Sequence, residues 1–200
     1  MYKVFGDMLS GNCYKIKLLM QFLGIEHEWV HIDILAGETH TEEFKQINPN
    51  ARIPVIQLAD GKYLWESNAI LNYLAEDTLF LPQENYRKSQ VLQWQFFEQY
   101  SHEPYIATAR YINKYLGLPK ERAAEYHAKQ AGGHKALSVM EQHLAENKFF
   151  VGDTVTIADI SLYAYTHVAD EGGFDLSEYV NIQRWFRDFE HISGYIKMAR

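Results

Sequence analysis

The sequence predicts a small α/β domain with a mixed sheet over residues 1–77, a linker over 78–86, and an all-helical domain over 87–200. Three observations carry this. A strand–helix–strand order at the start requires a parallel pair with a right-handed crossover. An Asp60-Gly61 turn between two apolar runs requires antiparallel pairing in the same sheet. Beyond Leu81-Pro82-Gln83-Glu84-Asn85 the periodicity is helical.

Residues 2–6 form the first strand, and Leu9-Ser10-Gly11-Asn12 a loop. Cys13, Ile16, Leu19, Met20 and Leu23 recur at helical spacing, with Lys15, Lys17 and Gln21 on the outer face and Gly24 as the C-cap. Val30, Ile32 and Ile34 alternate with polar residues as a second strand. A short helix over 41–47 is stopped by Asn48-Pro49-Asn50. Val55, Ile56 and Leu58, then Tyr63, Leu64 and Trp65, make the hairpin. Ser67 stands at the N-cap of a helix whose apolar face is Ile70, Leu71 and Leu74.

In the second half, residues 87–116 are helical and rich in aromatics, with Pro104 as a kink or break. A long helix over 120–147 contains Gly132-Gly133, which weakens it by about 1 kcal/mol per glycine relative to alanine. Thr156 as N-cap and Asp159 at N3 form an Asp variant of the capping box, with Val155 and Ile160 as the staple. The residues that follow are apolar nearly all round, the mark of a buried central helix, so Asp159 is read as a folding determinant. Ile182, Trp185, Phe186 and Phe189 give a terminal helix.

Composition excludes several classes. The chain is 47% hydrophobic and 22% charged, as for an ordered soluble protein, and its formal charge of -7 argues against a nucleic-acid or anionic-membrane surface. An anionic ligand needs local cations, for which Arg52 and Arg110 are candidates. No apolar run approaches the roughly 18 residues of a membrane span, and Asp7 falls too early for a signal segment. One cysteine excludes an internal disulfide and fits a reducing, cytoplasmic setting. The histidines and the lone cysteine show no metal-ligand spacing, and there is no phosphate loop or dinucleotide fingerprint, so neither metal nor nucleotide is expected.

Three places carry candidate chemistry. Ile53-Pro54 at a strand entry is either an ordinary edge proline or, if cis, a place where the Ile53 backbone faces a ligand. Glu66-Ser67 opens a helix, where free N–H groups and the dipole favour an anion. Ser10 lies at a strand-to-helix turn, either capping that helix or donating to an anion beside it. Cys13 is read as a packed small hydrophobe rather than a reactive thiol, because it shares a face with Ile16 and Met20.

Taken together, Ser10, Ile53-Pro54, Glu66-Ser67, the linker and Thr156-Ile157-Ala158-Asp159 resemble a cytosolic glutathione S-transferase, over essentially the whole chain. The nearest flavour is the serine- or cysteine-type bacterial and theta-like branch. That resemblance implies a thioredoxin-like first domain with Pro54 cis, a homodimer with the active site near its interface, and detoxifying transfer chemistry. It implies that Ile53 pairs with the cysteinyl part of glutathione, that Ser67 and its helix hold the γ-glutamyl carboxylate, and that Glu66 meets the ammonium. Arg52, Thr39 or His40 would lie towards the glycyl end. Ser10, with Asn12 as a second donor, would stabilise the thiolate; glutathione would be the co-substrate. Tyr105, Arg110 and His102 would contact the electrophile, against the plainer reading of a helix broken at Pro104 with core aromatics. Two alternatives share the fold: glutathione-dependent disulfide or peroxide reduction, and a non-catalytic partner-binding module.

Overall fold

The structure, a computed structural model, describes residues 1–199 in two units. The first takes Met1–Asp77 together with the chain from Ser193 onward; the second is Thr78–Ile192. The expected boundaries therefore move at both ends of the helical domain. Residues 78–86 group with the helices, since Leu81 is buried and the Phe80 carbonyl accepts from Ile157 N at 2.9 Å. The last residues return to the first unit, where Tyr14 Oη donates to Ile196 O at 2.7 Å.

In the first unit β1 (Tyr2–Gly6) is central. It pairs in parallel with β2 (His27–His31) and antiparallel with β3 (Val55–Gln57), which pairs antiparallel with β4 (Tyr63–Trp65), giving the order β2-β1-β3-β4. Strand β2 ends earlier than the alternation through Ile34 suggests. Its register with β1 closes at Gly6↔His31, where β1 itself ends, and Ile32 instead packs with Phe44 and Val55. The hairpin is also wider than a two-residue turn: β3 stops at Gln57 and Leu58 N bonds Lys62 O, with Gly61 at φ 88°. That positive φ is the conformation glycine adopts without a Cβ penalty.

Helix α1 (Gly11–Leu23) crosses from β1 to β2, ending at Gly24 with φ 64°. A single 3₁₀ turn, Glu38–His40, precedes α2 (Glu42–Ile47), which is capped by the Thr41 side chain. After β4 comes α3 (Ser67–Ala75), which packs on α1.

The second unit is helical: α4 (Asn85–Phe97), α5 (Glu103–Arg110), α6 (Ala123–Glu146), α7 (Ile157–Thr166) and α8 (Val180–Glu190). Pro104 does not break the first of these runs. A π turn at Glu98–His102 precedes it, with Glu103 N–H bonded to Glu98 O, and the chain stays helical through a second π turn at Tyr111–Tyr115. The wider turn absorbs the donor that proline lacks. Gly132 and Gly133 of α6 have a packing reason: a Cβ at the first would collide with the Tyr105 ring, and at the second with Phe174.

Asp159 ties this unit together. Fully buried, its carboxylate accepts from Thr156 N (2.9 Å), Thr156 Oγ1 (3.1 Å), Phe150 N (3.0 Å) and Trp185 Nε1 (3.1 Å). The capping box joins α7 to the preceding loop, and the Trp185 bond joins it to α8. Burial pushes the Asp159 pKa up to about 6, against the pull of these hydrogen bonds.

Asp159→Ala strands all these donors and should cost about 3–5 kcal/mol in chemical denaturation. The pH dependence has a definite sign. The folded carboxyl titrates near pH 6 and the unfolded one near about 3.9, so its protonation favours the folded state. The stability difference between wild type and Asp159→Asn should therefore grow in the wild type's favour as pH falls from about 7 to about 4.

Candidate functional site

Sheet register decides which loops meet. Phe5 pairs with Val55 and Val55 with Trp65. The chain leaving β1, the chain entering β3 and the chain leaving β4 therefore all lie at one edge of the sheet. Those segments carry Ser10, Ile53-Pro54 and Glu66-Ser67 respectively. Strand β2 runs parallel to β1, so its exit toward Thr39 and His40 is at the same edge.

Ser10 is the N-cap of α1, its Oγ accepting from Cys13 N at 3.4 Å. Capping uses an oxygen lone pair and leaves the hydroxyl hydrogen for donation, so the two readings of Ser10 are compatible. The Ile53–Pro54 peptide is cis. The loop ahead of it is held by buried Asn48, whose Nδ2 donates to Arg52 O at 2.8 Å and whose Oδ1 accepts from Asn50 N at 2.9 Å. Reading the sequence had given Asn48 only a role as a helix stop.

Helix α3 starts one residue earlier than a Ser67 cap requires. Glu66 is the N-cap residue, at φ 70°, and makes no side-chain capping bond. Ser67 is thus the first helical residue, and its hydroxyl is released from capping duty. It donates instead to Asn12 Oδ1 at 3.1 Å and accepts from Lys15 Nζ at 3.4 Å. The first N–H groups of α3 are left without a side-chain acceptor from the cap, an arrangement that suits an anion. The exposed Glu66 carboxylate accepts from Asn50 Nδ2 at 3.4 Å, close to that helix start.

Lys15 corrects the expected helix face. The spacing put it on the outer side of α1, yet it is fully buried. It sits one turn after Asn12, and both side chains reach Ser67, so a polar seam runs between α1 and α3. A helical wheel registers a lysine as outward because burying an ammonium ordinarily costs several kcal/mol, so composition alone gives no sign of this seam.

The remaining candidates divide. Arg52 and His40 are exposed at the shared edge, whereas Thr39 is buried at 5% exposure. In the helical unit, His102 is wholly buried with Nε2 2.9 Å from Thr166 Oγ1, and Arg110 is buried with Nε donating to Glu171 Oε2 at 2.7 Å. Burial works against the Glu171 carboxylate, but Arg110, followed by Lys114, outweighs it and holds the pKa below the ordinary value. His102 and Arg110 are accordingly internal groups of the helical unit and not electrophile contacts. Tyr105 is half-buried against Gly132 and lines a cavity of about 300 Å³ with Phe97, Tyr100 and Lys135.

Cys13 is buried behind Ser10, close against Gly6, where a Cβ would come within 2.8 Å of its sulfur. Burial pushes its thiol up to about 12, more than the Ser10 hydrogen bond can offset. Among the described residues, no group of three or more His, Cys, Asp or Glu is placed to hold a metal ion, and no helix is long and apolar enough to cross a membrane.

Two family models match the chain: glutathione S-transferase, N-terminal domain, over residues 1–76, and glutathione S-transferase, C-terminal domain, over residues 94–192. A glutathione S-transferase structure from Pseudomonas fluorescens is 57% identical, with a TM-score of 0.98 over 100% of this chain and 99% of its own. A glutathione transferase from Burkholderia graminis, solved with two glutathione molecules bound per subunit, is 25% identical. Its TM-score is 0.83, over 96% of this chain and 85% of its own. Protein URE2 of Eremothecium gossypii is 26% identical across 100% of this chain and 68% of its own length.

With its thiol this deeply protonated, Cys13 should react with a thiol reagent at neutral pH only as fast as the protein opens. Labelling kinetics followed by mass spectrometry should show a single modification whose rate rises with denaturant.

Proposed function

Because the chain belongs to the glutathione S-transferase family, we propose that it binds glutathione along the shared edge of its sheet and activates the thiol through Ser10. It is a glutathione transferase. In the proposed pose Ile53 pairs its backbone N–H and C=O with the cysteinyl residue beside Pro54. The α3 N-terminus and Ser67 receive the γ-glutamyl carboxylate, Glu66 receives the ammonium, and Arg52, with His40 or Thr39, lies towards the glycyl carboxylate. Asn12 is the second donor to the sulfur. The observation that carries this reading is the convergence of Ser10, cis Pro54 and an α3 start free of a side-chain cap on one register row.

The chemistry is thiolate generation. A free thiol has a pKa of about 8.5 and is only a few per cent ionised at neutral pH. Donation from the Ser10 hydroxyl and the positive end of α1 both favour the charged form. Lowering that pKa by two units takes about 2.7 kcal/mol, within the combined reach of a charge-assisted hydrogen bond and a helix dipole. The thiol proton leaves to solvent. The sulfur lone pair then forms a bond to an electrophilic carbon, and the leaving group departs with its bonding pair. Tyr105 is the remaining candidate contact for that electrophile. The lone, buried Cys13 supports a reducing, cytoplasmic setting, and a homodimer is the proposed assembly.

A second reading, glutathione-dependent disulfide or peroxide reduction, draws support from the Burkholderia graminis relative, which holds two glutathione molecules per subunit. Reducing one disulfide consumes two glutathiones: the first thiolate attacks one sulfur and expels the other as a thiol, and the second attacks the resulting mixed disulfide, expelling the second thiol and leaving as oxidised glutathione. Turnover with an aryl halide against turnover with a small disulfide separates the two.

Ser10→Ala should raise the pKa of enzyme-bound glutathione by about one to two units, the worth of a hydrogen bond to a charged group. Thiolate absorbance titration of the binary complex reads this directly, and turnover near neutral pH should fall at least about tenfold. An unchanged titration would remove Ser10 from the mechanism.

A further inference from the structure

Asn48 engages the loop ahead of β3 through its backbone and its side chain together. Its N–H donates to Phe44 O at 2.9 Å, closing α2, and its carbonyl accepts from Ala51 N at 2.9 Å. Side-chain Oδ1 accepts from Asn50 N at 2.9 Å, and Nδ2 donates to Arg52 O at 2.8 Å. The residue is 1% exposed, so the Arg52 carbonyl is held against a buried side chain. That carbonyl belongs to the same peptide unit as the Ile53 N–H. The Arg52–Ile53 bond is trans, and in a planar trans unit the N–H points opposite to the C=O. The Ile53 N–H is thereby turned away from Asn48, and among the described residues nothing accepts from it. A backbone donor left in this way calls for solvent or a ligand to take it up.

We propose that Asn48 is a positioning residue: by fixing the plane of the Arg52–Ile53 peptide, it aims the Ile53 N–H at the cysteinyl carbonyl of glutathione. The inference rests on the glutathione reading above and adds the residue that sets the angle of one of its contacts. Ile53 lies beyond the last paired row of β3 at Val55, so the sheet ladder does not orient this peptide. Without the Nδ2 donor the peptide plane can rock, and a rocked N–H loses the alignment that a hydrogen bond needs. In the proposed pose the sulfur is met from another loop, by Ser10 and the start of α1. Asn48 therefore acts on how tightly glutathione is held, and not on the ionisation of its thiol.

The test compares the wild type with Asn48→Ala and Asn48→Asp. At about pH 8, far above its ordinary pKa of about 3.9, aspartate keeps the shape and the acceptor for Asn50 N–H but has no donor for Arg52 O. It also serves if the alanine variant does not fold. Both variants should raise the KM for glutathione about five- to tenfold, the worth of one hydrogen bond. The kcat at saturating glutathione and the pKa of the bound thiol should stay close to the wild-type values. In protein labelled with 15N-isoleucine, glutathione should move the wild-type Ile53 amide proton downfield and slow its exchange, and both responses should shrink in the variants. An equal fall in kcat and kcat/KM would assign Asn48 to packing alone and overturn the inference. So would a wild-type KM in a folded variant, or an Ile53 amide that does not respond to bound glutathione. A KM raised by Asn48→Ala but not by Asn48→Asp would place the effect in the Asn50 contact and overturn it equally. Wild-type protein that binds no glutathione in calorimetry would instead overturn the glutathione reading itself.

Discussion

One row of sheet register governs where chemistry can occur. Phe5, Val55 and Trp65 stand side by side on β1, β3 and β4. Strand β3 runs against both neighbours, so its beginning lies beside their ends. A turn at the end of β1, a proline at the start of β3 and a helix start after β4 are thereby drawn from separate parts of the sequence to a single edge. A slip of one residue in either pairing would reverse the faces of every side chain on the shifted strand, including the buried Val55 and Ile56. Core packing of β3 and assembly of the proposed binding edge are consequently one constraint.

The polar groups at that edge divide their labour by lone pair and hydrogen. Ser10 accepts from the backbone of α1, a bond that does not use its hydroxyl hydrogen. Ser67, freed from capping because Glu66 is the N-cap residue, is oriented by Lys15 and Asn12. Cys13 sits behind Ser10 with a buried thiol that burial keeps protonated, so it does not compete as a nucleophile. The helix that supplies the dipole also supplies the buried ammonium, so α1 contributes positive potential both through its backbone and through a side chain.

Much of this was readable from the sequence, for reasons specific to each element. The capping box at Thr156–Asp159 was legible because its bonds are local, between residues three apart. The mixed sheet was legible because a crossover helix and a hairpin each impose a strand direction. Three features were not. The end of β2 depends on where its partner β1 stops, which alternation in β2 itself does not encode. The burial of Lys15 depends on Ser67, fifty-two positions away in sequence. The fate of Arg110 depends on Glu171, likewise remote, whose carboxylate turns a candidate ligand cation into half of an internal ion pair. In each case the missing information is a long-range partner, and helical or strand periodicity reports only which face a residue occupies.

The loss of Arg110 from the list of available cations sharpens the electrostatic problem. The chain carries a formal charge of -7, so its overall field repels an anionic tripeptide. Attraction must come from sources close enough to act inside the screening distance of about 8 Å at physiological salt. Exposed Arg52 is one such source, though an exposed arginine is well screened and contributes little by itself. The starts of α1 and α3 are two more, and they act at hydrogen-bond range where screening is weakest. Lys15 lies at a position water does not reach, where a positive charge is little screened although costly to bury. A negatively charged protein can hold an anion on these terms because the positive groups are few, buried or backbone-borne, and gathered at one edge of one sheet.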